Sequence, residues 1–236
     1  LDLKYMAAAV PFEGRITSAR FLEVFKKLRH KLCFTGYVMP VGAKPRPGRG
    51  RGNFILVHRG GGSTSPDIVT CALSAKERVK SGLPMTVVAG PASTAAELRA
   101  WRGLIKRRGI RGVRLLRTAD NFFELLSACE VCAGTAGGTV YEALYWNRKT
   151  VLIPFKGAPG AEHSDQLARA AMLEKLAGAI LLDYDTLTPE RLAAALDRAV
   201  SAPRPSFEHA PDLFNGAAVF ARTVLGDLEA ARSIRL

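Results

Sequence analysis

The chain has 236 residues, of which 48% are hydrophobic and 23% charged. These fractions are ordinary for a globular protein and exclude a disordered or fibrous chain, and no run approaches the roughly 18 uncharged apolar residues of a membrane-spanning helix. The formal net charge of +13 is unevenly spread: residues 1–118 contain 23 basic and 6 acidic side chains, whereas residues 119–236 contain 11 and 15. A strongly basic half indicates an anionic partner, which is a nucleic acid, a membrane surface or a phosphorylated ligand.

The four cysteines, Cys33, Cys71, Cys129 and Cys132, are too few for a disulfide scaffold in a chain of this length. Cys129 and Cys132 form a C-x-x-C pair, but no second pair and no nearby histidine follows at zinc-ligand spacing. The pair lies where a helical pattern ends and an apolar strand begins. We therefore predict two semi-buried, reduced thiols, no metal site and a cytoplasmic protein. Because the sequence starts at Leu1, without a Met or a signal peptide, we expect a fragment or a processed product.

The first 52 residues differ from the rest. Apolar residues recur at helical spacing over Ser18–Leu32, which predicts an amphipathic helix with a basic face, and Cys33–Val38 is predicted to be extended. Pro40–Gly52 contains three prolines, four glycines and four basic residues, which predicts an exposed linker. The chain then divides into an N-terminal segment (1–38), a linker (39–52) and a domain (53–236). An Arg-Gly run can also contact RNA, but a run this short and without aromatics argues against nucleic acid as a partner.

From Asn53 onward, short apolar runs alternate with longer helical patterns. The predicted strands are Phe54–His58, Met85–Ala89, Val113–Leu116, Glu130–Ala133, Thr150–Pro154 and Ala179–Leu182. The predicted helices are Ser65–Lys80, Thr94–Arg108, Asn121–Ala128, Thr139–Asn147, Ser164–Leu176, Pro189–Ser201 and Leu213–Ala230. This alternation predicts an α/β fold with a Rossmann-like, parallel six-stranded sheet and helices on both faces. Ligands of such sheets bind at the carboxyl ends of the strands, so the candidate site lies in the loops that follow the strands.

Three of these loops are rich in glycine or polar residues. The first, His58–Ser65, places three glycines before a helix, where backbone N–H groups bind anions; a tight turn that binds nothing is an equal alternative. The second, Gly134–Thr139, leads into a helix that carries Glu142. Thr139 and Glu142 form either a capping box or an anion site with a carboxylate one turn further on. The third runs from Pro154 to Gln166 and ends in a polar cluster, in which a solvent-facing Gln166 is the simpler interpretation. Together the loops fit a ligand with phosphates and hydroxyls.

The residues from about Phe34 to the end resemble the C-terminal, donor-binding domain of GT-B glycosyltransferases, and in particular MurG-type and related predicted bacterial glycosyltransferases. GGGSTS after the first strand is similar to the Gly-rich phosphate loop of that group. CAGTAGGTVYEAL resembles its small-residue segment followed by T-x-x-E, and PFKGAPGAEHSDQLARA resembles its P-F … E/D-x-x-x-Q-x-x-N-A segment. FTGYV resembles the crossing between the two domains, so residues 1–38 would be the end of an acceptor domain.

The resemblance implies a set of nucleotide-sugar-binding residues. It places Gly61, Gly62 and Ser63 at the diphosphate, together with Thr135, Gly137, Gly138 and Thr139. It places Glu142 at the ribose hydroxyls, Glu162 and Gln166 at the donor sugar, and Leu116 and Arg117 against the nucleobase. The catalytic base is not assigned, and His163 is a weak candidate. The chain departs from the pattern at two positions: Gly134 stands where an Arg is common, and Arg169 stands in place of the Asn.

The implied activity is hexosyl transfer from a nucleotide diphosphate sugar, with UDP-sugars expected, to an acceptor hydroxyl that the sequence does not identify. No metal or cofactor is implied. Two alternatives remain open at this point: a nucleotide-sugar hydrolase on the same scaffold, and a non-catalytic nucleotide-sugar-binding subunit that needs an acceptor domain on another chain. The surplus basic charge lies in the N-terminal half, so we expect either a solvated basic surface or a peripheral contact with the inner face of a membrane.

Overall fold

The computed structural model describes residues 5–6, 26–27, 33–39, 52–62, 65–155, 165–205 and 214–233. The chain forms two compact units, one made of Leu1–Lys44 with Phe207–Leu236 and the other of Pro45–Ser206. The strands are β1 (Tyr5–Met6), β2 (Cys33–Phe34), β3 (Ile55–His58), β4 (Met85–Val88), β5 (Val113–Leu116), β6 (Val131–Gly134), β7 (Lys149–Leu152) and β8 (Ile180–Leu181). The α-helices are α1 (Pro66–Ala75), α2 (Ala95–Arg108), α3 (Phe122–Ala128), α4 (Thr139–Tyr145), α5 (Asp165–Ala177), α6 (Pro189–Ser201) and α7 (Gly216–Ser233).

The larger unit contains a six-stranded sheet in the order β5-β4-β3-β6-β7-β8, and every neighbouring pair is parallel. This confirms the predicted fold class. The chain builds the sheet outward from β3 through β4 to β5, then returns to the other side of β3 and continues through β6 and β7 to β8. The strand order therefore reverses between β3 and β6, and the carboxyl ends of these two strands flank the crevice where open α/β sheets bind ligands.

Alternate residues of the central strands bury opposite faces of the sheet. Ile55 and Val57 belong to one apolar cluster with α1, α2 and α6. Leu56 on the same strand is fully buried without belonging to that cluster, because its side chain points to the opposite face. That second face is covered by α3, α4 and α5, whose apolar residues, including Leu126 and Leu144, are also buried. Ile55, Leu56 and Val57 form a continuous apolar run because both faces of the strand are covered.

Local signals explain why several helices begin where they do. α2 begins after Thr94, whose side chain accepts from the Glu97 N–H while the Glu97 carboxylate accepts from the Thr94 N–H, a complete capping box. α6 begins at Pro189 after the N-cap Thr188, at the boundaries that the sequence predicts. At α4 the N-cap is Gly138, without a side-chain cap. The alternative of a Thr139–Glu142 capping box is therefore wrong, because Thr139 is already the first helical residue.

The amino edge of the sheet contains a buried ionic cluster around Glu130. The Glu130 carboxylate accepts hydrogen bonds from Lys149 Nζ at 2.8 Å, from Arg204 Nη2 at 2.9 Å and from the Gly52 N–H at 2.6 Å. Lys149 Nζ also donates to the Val200 carbonyl at 2.7 Å, in the last turn of α6, where the helix dipole favours a cation. Glu130 thus holds both Gly52, which lies just before β3, and Arg204, which lies just after α6.

In the smaller unit, β1 and β2 pair in parallel, and the Gly216 N–H donates to the Tyr37 carbonyl at 3.2 Å. α7 is therefore grouped with the N-terminal segments by its contacts, whereas the sequence places it in a domain spanning 53–236. Lys26 and Lys27 are helical and exposed; the rest of the predicted Ser18–Leu32 helix and most of the predicted linker lie outside the described residues. No helix within the described ranges is long and apolar enough to cross a membrane.

Candidate functional site

The candidate site lies where the loops after β3, β4 and β6 meet at the carboxyl edge of the sheet. His58 and Gly134 are paired in register at the ends of β3 and β6, so they stand on either side of the point where strand order reverses. A cavity of about 230 Å³ opens there. Its lining residues come from the ends of β3 and β4, from the loops after β3, β4 and β5, and from the starts of α3 and α4: His58, Gly60, Gly61, Val88, Gly90, Pro91, Thr118, Ala119, Phe122 and Thr139.

Backbone-to-backbone packing shapes the floor of this cavity. A Cβ on Gly90, where φ is +90°, would lie 2.3 Å from the Gly60 carbonyl oxygen, and a Cβ on Gly134 would lie 2.2 Å from the His58 carbonyl oxygen. Both distances are far below van der Waals contact, so these positions cannot carry a side chain unless the backbone moves. The departure from an Arg at position 134 therefore has a steric cause in this chain.

We expect Gly134→Ala to lower the free energy of unfolding by about 1–3 kcal/mol, because the added methyl group overpacks a closed backbone contact. Gly137→Ala is the matched control in the same loop, since a Cβ there meets nothing within 4 Å. Chemical denaturation of both variants measures the difference. Equal stability of the two variants would contradict the proposed closeness of β3 and β6.

The side chain of Arg59 holds the glycine-rich loop after β3 in place. Its side chain is fully buried, and its guanidinium donates to Glu97 Oε1 at 3.0 Å and to Ser93 Oγ at 3.1 Å, while lying 5.9 Å from the centre of the Trp101 ring. Its carbonyl oxygen accepts from Thr135 Oγ1 at 3.4 Å. Arg59 thereby ties the loop after β3 to the start of α2 and to the loop after β6. This role was not predicted, because nothing local distinguishes one buried arginine in a basic region.

The sequence did not single out His58 either, which stands at the start of this loop. It is 4% exposed, its ring meets Phe122 edge-on at 6.1 Å, and burial lowers its pKa from 6.5 to about 4. Its Nδ1 has no hydrogen-bond partner among the described residues. The imidazole is therefore neutral at pH 7, and it lines the cavity with unused hydrogen-bonding capacity.

The predicted residues of the loop after β6 lie at the site to different degrees. Thr139 lines the cavity as the first residue of α4, and Glu142 follows in the first turn of that helix, half-buried. Thr135 is buried, whereas Gly137 is half-buried and Gly138 is exposed. The three residues Thr135, Gly137 and Gly138 do not line the cavity.

The remaining predicted residues are more scattered. Gly61 lines the cavity, and Gly62 beside it is exposed. Leu116 does not line it, nor does Arg117, although Arg117 Nη2 donates to the carbonyl oxygen of Pro91 on its wall at 3.1 Å. Three of the predicted site residues lie outside the described residues: Ser63, Glu162 and His163.

The start of α5 contacts two of the site loops through its side chains. Gln166 Oε1 accepts from the Phe155 N–H at 3.1 Å, so the solvent-facing interpretation of Gln166 is wrong. Arg169 Nη1 donates to the Ala136 carbonyl at 2.6 Å and its guanidinium lies 5.8 Å from the centre of the Tyr141 ring. The arginine that stands at position 169 in place of the family's asparagine thus stabilises the small-residue loop after β6.

The C-x-x-C pair belongs to the core. Cys129 and Cys132 are free and almost completely buried, more so than the semi-buried thiols that the sequence predicts. Burial raises the pKa of Cys129 to about 12 and raises the pKa of Cys132 as well, so neither is a reactive thiolate at neutral pH. Among the described residues, no group of His, Cys, Asp or Glu side chains is arranged to hold a metal ion.

The architecture and the site place this protein in the class of Rossmann-like α/β domains found in GT-B glycosyltransferases. The structure of MurG from Acinetobacter baumannii superposes with a TM-score of 0.55 and 16% identity, over 85% of this chain and 58% of that one. The glycosyltransferase of kitacinnamycin superposes with a TM-score of 0.55 and 19% identity, over 74% of this chain and 42% of that one. At these identities the likeness establishes the fold.

Residues 55–223 match the model of the glycosyltransferase family 28 C-terminal domain, and the chain belongs to this family. An N-acetylglucosamine transferase of Nitrobacter winogradskyi, named UDP-N-acetylglucosamine--N-acetylmuramyl-(pentapeptide) pyrophosphoryl-undecaprenol N-acetylglucosamine transferase, is 30% identical over 159 residues, 66% of this chain and 42% of the relative. The protein of the same name from Methylorubrum populi is 27% identical over 173 residues, 71% of this chain and 45% of the relative. The chain spans less than half the length of these relatives.

Proposed function

We propose that this chain is the donor-binding half of a glycosyltransferase that moves a hexosyl group from a nucleotide diphosphate sugar, with a UDP-sugar as the expected donor, to an acceptor hydroxyl. The observation that carries the proposal is the cavity at the carboxyl edge, which is lined by the glycine-containing loops after β3 and β4 and by Thr139 at the start of α4, beside the reversal of strand order. Membership of the family supports it, and so do relatives whose names specify a UDP-sugar donor. Neither alternative function is favoured by the relatives described above.

The loops fit the charged part of such a donor. Gly60 and Gly61 follow β3, and Thr139 begins α4, so backbone N–H groups from two loops border one cavity. Backbone N–H groups arranged in this way stabilise the charge that develops on a departing diphosphate. In the proposed reaction the acceptor hydroxyl gives its proton to a general base as its oxygen attacks the anomeric carbon. The bond from that carbon to the diphosphate oxygen breaks, and the nucleoside diphosphate leaves with the bonding electrons.

The neighbouring residues suit the rest of the nucleotide. Glu142 lies one turn into α4 from Thr139, where its carboxylate would accept hydrogen bonds from the ribose hydroxyls. Phe122 and Ala119 form an apolar wall of the cavity, which we assign to the nucleobase side together with Leu116 and Arg117. Gln166, Glu162 and the weak base candidate His163 remain predictions for the sugar and the acceptor.

Titration with UDP, dTDP and ADP tests the proposal. We expect UDP to bind at millimolar concentration or below. Glu142→Ala should weaken binding about tenfold or more, because hydrogen bonds to a charged group contribute about 1.5–3 kcal/mol. Glu124→Ala is the matched control, since Glu124 is a glutamate in the first turn of the neighbouring helix α3 that is exposed, whereas Glu142 is half-buried.

Two results would contradict the proposal at different levels. Failure of all three nucleotides to bind at millimolar concentration would exclude a donor-binding function. Equal UDP affinity in Glu142→Ala and the Glu124→Ala control would exclude the ribose assignment of Glu142 alone. The expected contact with an anionic membrane stays a prediction, for which binding to anionic against neutral lipid vesicles is the measurement.

A further inference from the structure

We propose that His58 is a ligand-binding residue of this site and that its imidazole contacts the diphosphate of the bound nucleotide. The inference rests on the proposed function, since it names a residue that would contact the donor. It starts from Gly134, which faces His58 across the reversal of strand order. No side chain fits at position 134, so any polar side chain at this point must come from a neighbouring strand.

The imidazole occupies the place where a side chain at position 134 would begin. A Cβ on Gly134 would lie 2.8 Å from His58 Nε2 and 2.9 Å from His58 Cδ2. The ring therefore fills the space above the end of β6, between the loop after β3 and the loop before α4. These are the two loops whose backbone N–H groups we assign to the diphosphate.

The hydrogen-bonding state of the ring points to a missing partner. His58 is 4% exposed, and its Nδ1 is buried without a partner among the described residues. Leaving a buried polar atom unpaired costs free energy, and unsatisfied groups of this kind at functional sites call for an explanation. A ligand in the cavity would not reach the buried Nδ1, but a contact with the part of the ring that lines the cavity would fix the tautomer and orientation of the imidazole.

The composition of the cavity favours an anionic partner group. Of the ten residues that line it, His58 is the one whose side chain can acquire a positive charge. The neighbouring Arg59 is committed to Glu97 and Ser93, and burial is the cause of the lowered pKa of His58, with no charged neighbour contributing. A diphosphate oxygen beside the ring would raise that pKa, so a proton that is taken up with the nucleotide would be bound by this ring.

The test measures the affinities of wild type, His58→Phe and His58→Asn for three ligands: UDP, inorganic pyrophosphate and uridine. Phenylalanine keeps the ring volume and the contact with Phe122 but removes both nitrogens, whereas asparagine keeps a neutral hydrogen-bond donor. We expect His58→Phe to lower the affinity for UDP and for inorganic pyrophosphate about tenfold or more, while the affinity for uridine stays unchanged. The affinities of His58→Asn should lie between those of wild type and His58→Phe. Proton uptake on UDP binding, measured by calorimetry in buffers of different ionisation enthalpy, should be reduced in both variants.

The outcomes separate this inference from the proposed function. If wild type binds UDP and His58→Phe binds it equally well, the assignment of His58 is wrong while the donor-binding function stands. A loss of uridine affinity with pyrophosphate unaffected would place the imidazole at the nucleoside and likewise overturn the inference. If wild type binds neither UDP nor pyrophosphate, both fail. Thermal unfolding at pH 7 verifies that each variant is folded before its affinity is compared.

Discussion

Replacing Glu130 by alanine is expected to lower the free energy of unfolding by about 3–5 kcal/mol, because it leaves buried cations without their counter-charge. The Glu130 side chain is 1% exposed and that of Lys149 is 9% exposed, so water cannot replace the lost carboxylate. Burial by itself would raise the pKa of Glu130, but the hydrogen bonds from Lys149 and from the Gly52 N–H outweigh it and hold the pKa below its usual value. The folded protein therefore stabilises Glu130 in its charged, carboxylate form.

The matched control is Glu190→Ala. Glu190 Oε1 lies 2.8 Å from Arg78 Nε, the same separation as in the Glu130–Lys149 pair, but both side chains are largely exposed. An exposed ion pair contributes little to stability, and the carboxylate of Glu190 in the first turn of α6 adds a modest contribution to the helix start, so this variant should lose far less stability than Glu130→Ala. Urea denaturation at pH 7 measures both.

Hydrogen exchange adds a local measurement to the Glu130 experiment. The Gly52 N–H loses its acceptor in Glu130→Ala, so this amide should exchange faster than in wild type. If Glu130→Ala were no less stable than Glu190→Ala, the cluster would not contribute to the stability of the fold. We would then attribute the order of Gly52 and Arg204 to packing rather than to charge.

Acidification from pH 7 to pH 4 is expected to remove about 3 kcal/mol of stability through His58 alone. The pKa of His58 is 6.5 in the unfolded chain and about 4 in the folded protein, and each unit of difference corresponds to about 1.4 kcal/mol. Between these values the unfolded chain binds more protons, so stability falls as pH falls. The contribution is complete above pH 6.5 and is lost progressively towards pH 4.

His58→Phe isolates this effect. The free energy of unfolding is measured at several pH values between 7 and 4 for wild type and the variant, and the difference between the two curves cancels every group that they share, including the other three histidines. We expect the difference to change by about 3 kcal/mol across this range, with the wild type losing more on acidification. Parallel curves would show that His58 is accessible to protons in the folded protein and therefore not buried as described.

Most of the fold was predictable because it depends on local signals. The predicted Val113–Leu116 strand and Pro189–Ser201 helix have the observed boundaries, since β-branched runs and N-cap residues act over a few residues. The grouping of α7 with the N-terminal segments was not predictable, because it depends on a contact between Gly216 and Tyr37, which are distant in the chain.

The candidate site was predictable in position but not in composition. Glycine-rich loops after strands marked the carboxyl edge, and Gly61 and Thr139 do line the cavity. His58 ends an apolar strand, where a single histidine has no distinguishing pattern. Its importance arises from Gly134, which is 76 positions away in the chain and adjacent in the sheet. The same holds for Arg169, whose contact with the Ala136 carbonyl has no local signature.

The uneven charge distribution also has one part that the sequence determines and another that only the tertiary structure determines. The sequence by itself determined that the basic excess lies in residues 1–118, that strands alternate with helices, and that glycine-rich loops follow the strands, because composition and hydrophobic periodicity are properties of neighbouring residues. Only the tertiary structure decided which charges are buried and paired, such as Arg59 with Glu97, and which, such as Arg99 and Arg111, are exposed. It also brought His58 to Gly134 and Glu130 to Lys149 and Arg204. Burial and pairing depend on contacts between residues of separate strands and helices, and the linear sequence does not show which of these residues are close in space.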